Sequence, residues 1–335
     1  MKKQDLITAL ETVKPGLANK ENLEQSTSFA FIDGRVFTYN DEISISHPVE
    51  GLDITGAIKA EELYAILKKL KQEEIDITVT DTEILLKAGK VKVGLVLQSE
   101  ITLPLTEVGE IKRWKTLREG FLKAMQLAMF SCSTQDSTPK LTCVHVNHEI
   151  IEGSDGFRLH RTTLPEPVPV ETFLIPAASV ATVLKFAPNK ITLTPGWVHF
   201  KSDTTGAILS CRTFADKYPD TSNIITVKKG KNITFPKTIA NILDRASVFG
   251  KHGTSVTDEE VHVVLEGNRI KISADNDVGH ITEEANISYE GNKIEFNIMP
   301  SLLKGILKDI TTCVYTGKIL KFEGEGWIFI TLLKA

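Results

Sequence analysis

Cysteine and histidine side chains that could bind a metal ion come closest together at Cys143, His145 and His148, with His160 a short distance further on. Side chains of a strand alternate between its two faces, so Cys143 and His145 would share one face. A tetrahedral zinc site also needs a second pair of ligands at a suitable spacing, and the sequence supplies none. We therefore predict no metal site and no cofactor.

Residues 250–255, Gly-Lys-His-Gly-Thr-Ser, partly resemble a phosphate-binding loop. That motif also needs an earlier glycine and a strand leading into it, and neither is found here. The chain has no glycine-flanked serine elbow and no histidine–glutamate pair of the zinc-protease type. Catalytic residues that are far apart in sequence can still converge in a fold. None of these motifs indicates an enzyme.

Lysine side chains offer a different chemistry, the binding of phosphate groups. Seven of them lie off the apolar stripes of predicted helices or just beyond a helix end, namely Lys68, Lys69, Lys71, Lys115, Lys123, Lys304 and Lys308. Contacts to phosphate carry no sequence information and weaken with salt, which suits binding to duplex DNA of any sequence. Lysines on solvated helix faces are also common without a ligand, so both interpretations stay open for each one.

The most distinctive short motif is residues 153–160, Gly-Ser-Asp-Gly-Phe-Arg-Leu-His. The Asp-Gly pair at 155–156 predicts a tight turn, because glycine accepts a positive φ and aspartate hydrogen-bonds to its own backbone. Phe157 and Leu159 follow the turn, with Arg158 between them. Such a turn on its own is typical of a hairpin whose apolar side chains complete a core.

Length and composition limit the possible classes of protein. The 335 residues are enough for two or three domains. With 41% hydrophobic and 24% charged residues the chain is typical of soluble globular proteins, and a net charge of −4 excludes a uniformly basic nucleic-acid binder. The sequence has no evident signal peptide or membrane-spanning run, and its four cysteines are scattered, so we expect a cytoplasmic protein without membrane contact.

An internal repeat indicates the architecture. An isoleucine followed by apolar residues at +5, +8 and +9 occurs three times, beginning at Ile58, Ile175 and Ile298. Each copy predicts a strand end followed by an amphipathic helix, and alternating strands come after it. We predict an α+β protein of three tandem domains, each with two helices packed on antiparallel β-sheets. The expected domains are residues 1–106, 107–224 and 225–335.

The chain resembles the bacterial and bacteriophage DNA polymerase III β sliding clamps, the processivity rings of replicative polymerases. The resemblance covers nearly the whole chain and is strongest at residues 154–159, Ser-Asp-Gly-Phe-Arg-Leu, and 214–220, Phe-Ala-Asp-Lys-Tyr-Pro-Asp. Residues 246–249, 296–298 and the terminal strand 327–333 extend it through the last domain. Each motif is weak alone, but their order on a threefold repeat is specific.

The resemblance implies a DNA clamp fold that closes into a ring around duplex DNA and tethers a replicative polymerase. A clamp loader and other proteins with clamp-binding motifs are further implied partners. The implied docking cleft for partner peptides is lined by Leu141, Ser154, Gly156, Phe157, Arg158, Leu159, Pro219, Ile224, Asn297, Pro300, Ile328, Phe329, Ile330 and Leu332. Its aliphatic members also fit ordinary core packing. The family usually has histidine where Phe157 stands and often arginine where Asn223 stands, which alters details of the pocket and of DNA contact.

The resemblance also implies a head-to-tail homodimer whose seam joins the first domain of one copy to the third domain of the other. The residues that match this seam are Leu103, Val248 and Phe249. Glu61 and Glu62 stand where the family carries basic seam residues, so we expect mainly apolar contacts. The function implied is a sliding clamp acting in the cytoplasm of a bacterium or of a phage-infected host cell. The alternative is a clamp-fold scaffold or regulatory protein that does not encircle DNA.

Overall fold

The computed structural model describes residues 1–108, 111, 113–135, 137–227, 229–253, 258–303, 305–307 and 310–334. Contacts between Cα atoms divide the chain into two compact units. Unit 1 comprises Met1–Leu122 and Val168–Ala215, and unit 2 comprises Lys123–Pro167 and Asp216–Ala335. Among the described residues the α-helices are α1 (Lys3–Val13), α2 (Ala60–Lys69), α3 (Phe121–Ser131), α4 (Ala177–Phe186), α5 (Ser222–Ile225), α6 (Ile239–Ala246) and α7 (Pro300–Leu303).

The strands alternate between the two units along the chain. The first eight, in unit 1, are β1 (Ser28–Ile32), β2 (Arg35–Tyr39), β3 (Ile43–Pro48), β4 (Gly56–Lys59), β5 (Asp76–Val79), β6 (Glu83–Ala88), β7 (Val91–Val96) and β8 (Lys115–Thr116). Unit 2 then contributes β9 (Cys143–Asn147), β10 (Ile150–Ser154) and β11 (Arg158–Thr163). The chain returns to unit 1 for β12 (Phe173–Pro176), β13 (Lys190–Thr194), β14 (Trp197–Lys201) and β15 (Ile208–Arg212).

The remaining strands belong to unit 2. They are β16 (Lys231–Thr234), β17 (Val261–Glu266), β18 (Arg269–Asn276), β19 (Gly279–Asn286), β20 (Ile294–Ile298), β21 (Thr312–Tyr315), β22 (Ile319–Gly324) and β23 (Trp327–Leu332). The strand pairs with a described register are antiparallel, as predicted for an α+β protein.

Unit 1 is built on an antiparallel sheet in the order β4-β1-β2-β3-β15-β14-β13-β8, with a separate three-stranded sheet β5-β6-β7. Helix α1 packs on β2 and β3 because Leu6, Leu10 and Val13 form a buried stripe at helical spacing. A second cluster of buried side chains contains Tyr39, Trp197 and the connecting residues that follow β7. Helix α1 is therefore held to the sheet by an apolar stripe that the sequence predicts.

Unit 2 repeats this plan. Its larger sheet runs in the order β9-β10-β11-β23-β22-β21-β16, and a four-stranded sheet runs β19-β18-β17-β20. Val261, Val263 and Leu265 of β17 are buried, and the residues between them are partly exposed, as strand alternation requires. Ile239 and Leu243 of α6 join the same core.

Three isolated bridges mark the internal repeat. Ala57 pairs with Gln98, Leu174 with Phe214, and Asn297 with Lys334. In each pair the first residue lies on the strand before a helix, and the second lies just beyond the last strand of the same repeat. The larger sheet of each unit also continues past an expected domain limit, since β3 pairs with β15 and β11 pairs with β23. The division into three domains therefore stays a prediction.

Candidate functional site

The turn between β10 and β11 is fixed by hydrogen bonds from its own side chains. Asp155 Oδ1 accepts from the backbone N–H groups of Phe157 and Arg158, both at 2.9 Å. Ser154 Oγ donates to the Arg158 carbonyl at 2.7 Å and accepts from the Gly156 N–H at 3.2 Å. Gly156 has a φ of +88°, a conformation that favours glycine. The tight turn predicted for the Asp-Gly pair is confirmed.

The start of the motif lies against helix α3. A Cβ atom on Gly153 would lie 2.2 Å from the Ala128 carbonyl oxygen and 2.8 Å from Cys132 Sγ, so a larger residue would push the strand off the helix. The end of α3 carries Phe130, an exposed aromatic ring that the sequence analysis did not assign to the site. Its position off the apolar stripe of the helix was the available signal.

Arg158 links the turn to that ring. Its Nε donates to Asp155 Oδ2 at 3.0 Å, and its guanidinium carbon lies 4.6 Å from the centre of the Phe130 ring, within the range of a cation–π contact. Burial lowers the pKa of Arg158, and the neighbouring Asp155 carboxylate opposes that effect. The guanidinium is therefore a cation held in place by the turn and by an aromatic face.

Pairing between β11 and β23 brings the turn to the last strand. Arg158 lies opposite Thr331, and the Leu332 N–H donates to the Phe157 carbonyl at 2.7 Å. The side chains of Phe157 and Leu332 are 38% and 40% exposed. The structure thus joins two segments, far apart in sequence, that the family resemblance assigns to one cleft.

Burial separates the predicted cleft residues into classes. The side chains of Leu159, Pro300, Phe329 and Ile330 are buried, and Phe329 belongs to the core of unit 2. The half-buried members are Leu141, Ser154, Arg158, Asn297 and Ile328. The exposed members are Gly156, Phe157, Pro219, Ile224 and Leu332. The half-buried and exposed side chains are the ones that a partner can reach in this structure. The buried aliphatic and aromatic side chains fit the alternative of ordinary core packing.

An open recess lies beside the last strand. It is lined by His262, Glu295, Phe296, Asn297, Gly317, Lys318, Leu332, Leu333 and Lys334. His262 Nδ1 lies 2.8 Å from Asn297 Oδ1, and the Lys334 N–H donates to the Asn297 carbonyl at 3.0 Å. Two predicted site residues, Asn297 and Leu332, therefore share one concave surface.

We call the pairing of β11 with β23 the strand joint of unit 2. Unit 1 has a corresponding strand joint between β3 and β15, with different chemistry. There the Arg212 N–H donates to the Glu42 carbonyl at 2.8 Å, as Leu332 does to Phe157 in unit 2. The Arg212 guanidinium donates to Asp41 Oδ1 at 3.1 Å and stacks over Trp197 at 4.8 Å from the ring centre. The joint in unit 1 is thus charged and internally bonded, whereas the joint in unit 2 exposes an apolar pair.

The predicted phosphate-binding lysines have different surroundings. Lys68 Nζ lies 2.6 Å from Glu11 Oε1, and this hydrogen bond raises the pKa of Lys68. Lys115 Nζ donates to the Pro169 carbonyl at 2.6 Å. The side chains of Lys69, Lys71 and Lys123 are exposed. Lys304 and Lys308, predicted to lie on the last helix, are outside the described residues.

The residues predicted for the seam are also placed differently. Leu103 is buried in its own unit with Tyr39 and Trp197, so its side chain is not a surface anchor. Phe249 packs partly against the core of unit 2 and against Gly279. Val248 is exposed. Leu103 and Phe249 therefore find apolar contacts within their own units.

Two strands at sheet edges carry further exposed apolar residues. β7 is the edge of the three-stranded sheet in unit 1, and β19 is the edge of the four-stranded sheet in unit 2. Val96, the last residue of β7, is 78% exposed, and Val278, just before β19, is 87% exposed. Edge strands with such neighbours are suited to pairing with another chain.

The remaining sequence motifs concern a possible metal site, the glycine-containing loop and membrane spans. His145 bonds to Glu152 and stacks on Tyr218, and no group of three or more potential ligands in the described ranges could hold a metal ion. Residues 254–257 of the glycine-rich loop lie outside those ranges. None of the described helices is both long enough and apolar enough to span a bilayer.

Comparisons with known proteins give a match in structure alone. No family profile and no curated protein sequence matches the chain. The DNA polymerase III subunit beta of Pseudomonas aeruginosa superposes with a TM-score of 0.86 at 16% identity, and the beta chain of Streptococcus pneumoniae superposes with 0.86 at 19% identity. The Bacillus subtilis sliding clamp gives 0.83 at 20% identity. Each match covers 100% of this chain and 98% of the other. The chain therefore has the fold of the bacterial β sliding clamps, as its sequence predicts.

Proposed function

We propose that this protein is a DNA sliding clamp that tethers a replicative DNA polymerase to duplex DNA. The observation that carries the proposal is the exposed apolar pair Phe157 and Leu332, held at a strand joint of a full-length clamp fold. The mechanism is topological, because a closed ring cannot leave circular DNA. Weak contacts to phosphates leave it free to move along the duplex. The protein itself catalyses no reaction.

The partners follow from this mechanism. They are duplex DNA of any sequence, the replicative polymerase, a clamp loader, other proteins with clamp-binding peptides, and a second copy of the chain. These partners place the protein in the cytoplasm of a bacterium or of a phage-infected host. Partner peptides dock at Phe157 and Leu332, because an apolar surface flanked by a few fixed polar groups is suited to a short apolar peptide.

The ring forms when β7 of one copy pairs with β19 of the other. What supports this seam is that both are edge strands with exposed valines nearby, Val96 and Val278. The charges on the strands agree with it. Lys92 is exposed on β7 and offers a positive charge to the acidic side chains of β19. Glu283 of β19 is already paired with Arg245 at 2.6 Å, so its negative charge repels other carboxylates at the seam less.

The first prediction tests ring closure. Protein assembled on a circular plasmid by the loader of the same genome should stay bound through gel filtration, and cutting the plasmid should release it. The variant with Val96→Glu and Val278→Glu should be a monomer by analytical ultracentrifugation and should lose this retention. Val79→Glu, a change at an exposed apolar residue of β5, the opposite edge of the same three-stranded sheet, is the matched control and should behave as the parent.

Two outcomes would contradict the proposal. Equal retention on circular and linear DNA would indicate ordinary electrostatic binding. A stably folded parent that is monomeric and never retained would favour the scaffold alternative.

The second prediction tests the docking site. Phe157→Ala and Leu332→Ala should each weaken binding of a labelled peptide from the C-terminal segment of the polymerase by about tenfold, or about 1.4 kcal/mol. Both side chains are exposed, so the free energy of unfolding should change little. Fluorescence polarisation measures the affinity, and Val248→Ala, an exposed residue elsewhere in unit 2, is the control. Unchanged affinity in both site variants would show that the peptide binds elsewhere.

A further inference from the structure

A cluster of buried polar side chains ties the segment 218–225 to strands β10 and β11. Thr221 Oγ1 donates to Glu152 Oε2 at 2.7 Å and accepts a hydrogen bond from Arg161 Nη2. Arg161 Nε also donates to Glu152 Oε2, at 2.9 Å. All three side chains are buried, so each of these hydrogen bonds forms away from water. We call Glu152, Arg161 and Thr221 the polar latch.

Two aromatic side chains complete the attachment. His145 Nδ1 lies 2.9 Å from Glu152 Oε1, and the His145 ring stacks on Tyr218 with centroids 4.6 Å apart. Burial acts to raise the pKa of Glu152, but hydrogen bonds from His145, Thr221 and Arg161 outweigh it and leave the pKa below its ordinary value. Glu152 is therefore a carboxylate at neutral pH, with both oxygens occupied.

The latch holds a segment that has little other anchorage. Helix α5 has no buried residue, so its own side chains do not fix it to the core. It begins directly after Thr221, whose carbonyl accepts from the Ile224 N–H at 3.1 Å. The Ile224 side chain is 48% exposed. Fixing Thr221 therefore fixes the place where Ile224 is presented.

The same segment is attached to the strands that lead into the turn carrying Phe157. Tyr218 stacks on His145 of β9, and β9 pairs with β10, the strand that enters the turn. Pro219 is exposed between Tyr218 and the latch residue Thr221. The segment is thus attached to β9 by Tyr218 and to β10 and β11 by the latch.

We infer that the polar latch positions one wall of the partner-peptide cleft, the wall formed by Pro219 and Ile224. Its three members touch no peptide, and they act by holding this wall in its binding conformation. A wall that is already ordered costs less conformational entropy when the peptide binds. The inference rests on the proposed function, because it names the residues that prepare the proposed docking site.

The test is a comparison of Thr221→Val with Thr221→Ser. Valine keeps the shape but removes both hydrogen bonds of the hydroxyl, whereas serine keeps them. We expect Thr221→Val to weaken binding of the labelled polymerase peptide about fivefold, because a smaller fraction of the molecules then holds the wall in its binding conformation. Thr221→Ser should retain the parent affinity. Amide hydrogen exchange in segment 218–225 should become faster in Thr221→Val alone.

A double-variant cycle separates positioning from general stability. In a background that carries both Pro219→Ala and Ile224→Ala, Thr221→Val should weaken peptide binding no further, because both wall residues are already gone. Its effect on the melting temperature should stay the same. An equal loss of affinity in both backgrounds, or parent affinity in Thr221→Val, would overturn the inference. Glu152→Gln, which keeps the side-chain shape, provides a second variant if Thr221→Val fails to fold. A parent that binds no peptide would instead refute the proposed function, and the inference with it.

Discussion

Replacing Phe329 by alanine is expected to lower the free energy of unfolding by about 3–5 kcal/mol. The ring is fully buried in the core of unit 2, with centroid distances of 6.2 Å to Phe322 and 6.3 Å to His160. Removing it leaves a cavity that the surrounding β-sheet cannot close. The family resemblance alone would place this side chain in the peptide cleft, where truncation abolishes binding and leaves the fold unchanged.

Urea unfolding followed by circular dichroism measures this loss. Leu332→Ala is the matched control, because Leu332 lies on the same strand with an exposed side chain and should change the free energy of unfolding little. If Phe329→Ala were as stable as Leu332→Ala, the assignment of Phe329 to the core would be wrong.

The second large effect is expected at the buried ion pair. Arg161→Ala leaves the Glu152 carboxylate buried without its cation, and breaking such a pair costs about 3–5 kcal/mol. Replacing both ionic partners, as in Glu152→Leu with Arg161→Met, should cost less, because a buried hydroxyl, that of Thr221, and not a buried charge is then left without its partners. A thermal-unfolding comparison of the two variants measures the difference. Equal losses in both would show that packing, and not the unpaired charge, sets the cost.

The same pair predicts a pH dependence. The folded-state pKa of Glu152 lies below the ordinary value of 4.5. A group of this kind contributes stability above its unfolded pKa, and the contribution disappears as the pH falls through the folded value. The parent should therefore lose stability below about pH 4.5 more steeply than the Glu152→Leu, Arg161→Met variant. Parallel pH profiles would contradict this.

The elements of the fold were largely predictable, because apolar residues recur at helical and strand spacing. Ile58, Ile175 and Ile298 each precede a helix, and the Asp-Gly pair at 155–156 forms the expected turn. Local hydrogen bonds and one-sided burial determine these features, so a short stretch of sequence contains the necessary information.

The buried face of the terminal strand was not predictable. Nearly every residue from Trp327 to Leu332 is apolar, so alternation does not indicate that Phe329 faces the core and Leu332 the solvent. The core positions of Leu103 and Phe249 depend on packing between distant elements.

The polar contacts also could not be predicted from the sequence. Arg161 and Thr221 are 60 residues apart, and Lys68 finds Glu11 only because α1 and α2 lie side by side. Interactions of this kind depend on tertiary structure and leave no periodic signal.

The contrast between the two strand joints limits how many partners can be served at once. Arg212 and Glu42 make the joint in unit 1 polar, whereas Phe157 and Leu332 make the one in unit 2 apolar. If the protein closes into the proposed ring of two copies, the strand joints described here would give one apolar docking position in each copy and two in the ring. Two different enzymes could occupy one ring together, but a third would have to displace one of them. Replication proteins would then compete for a fixed number of binding sites, and their exchange would depend on their relative affinities and local concentrations.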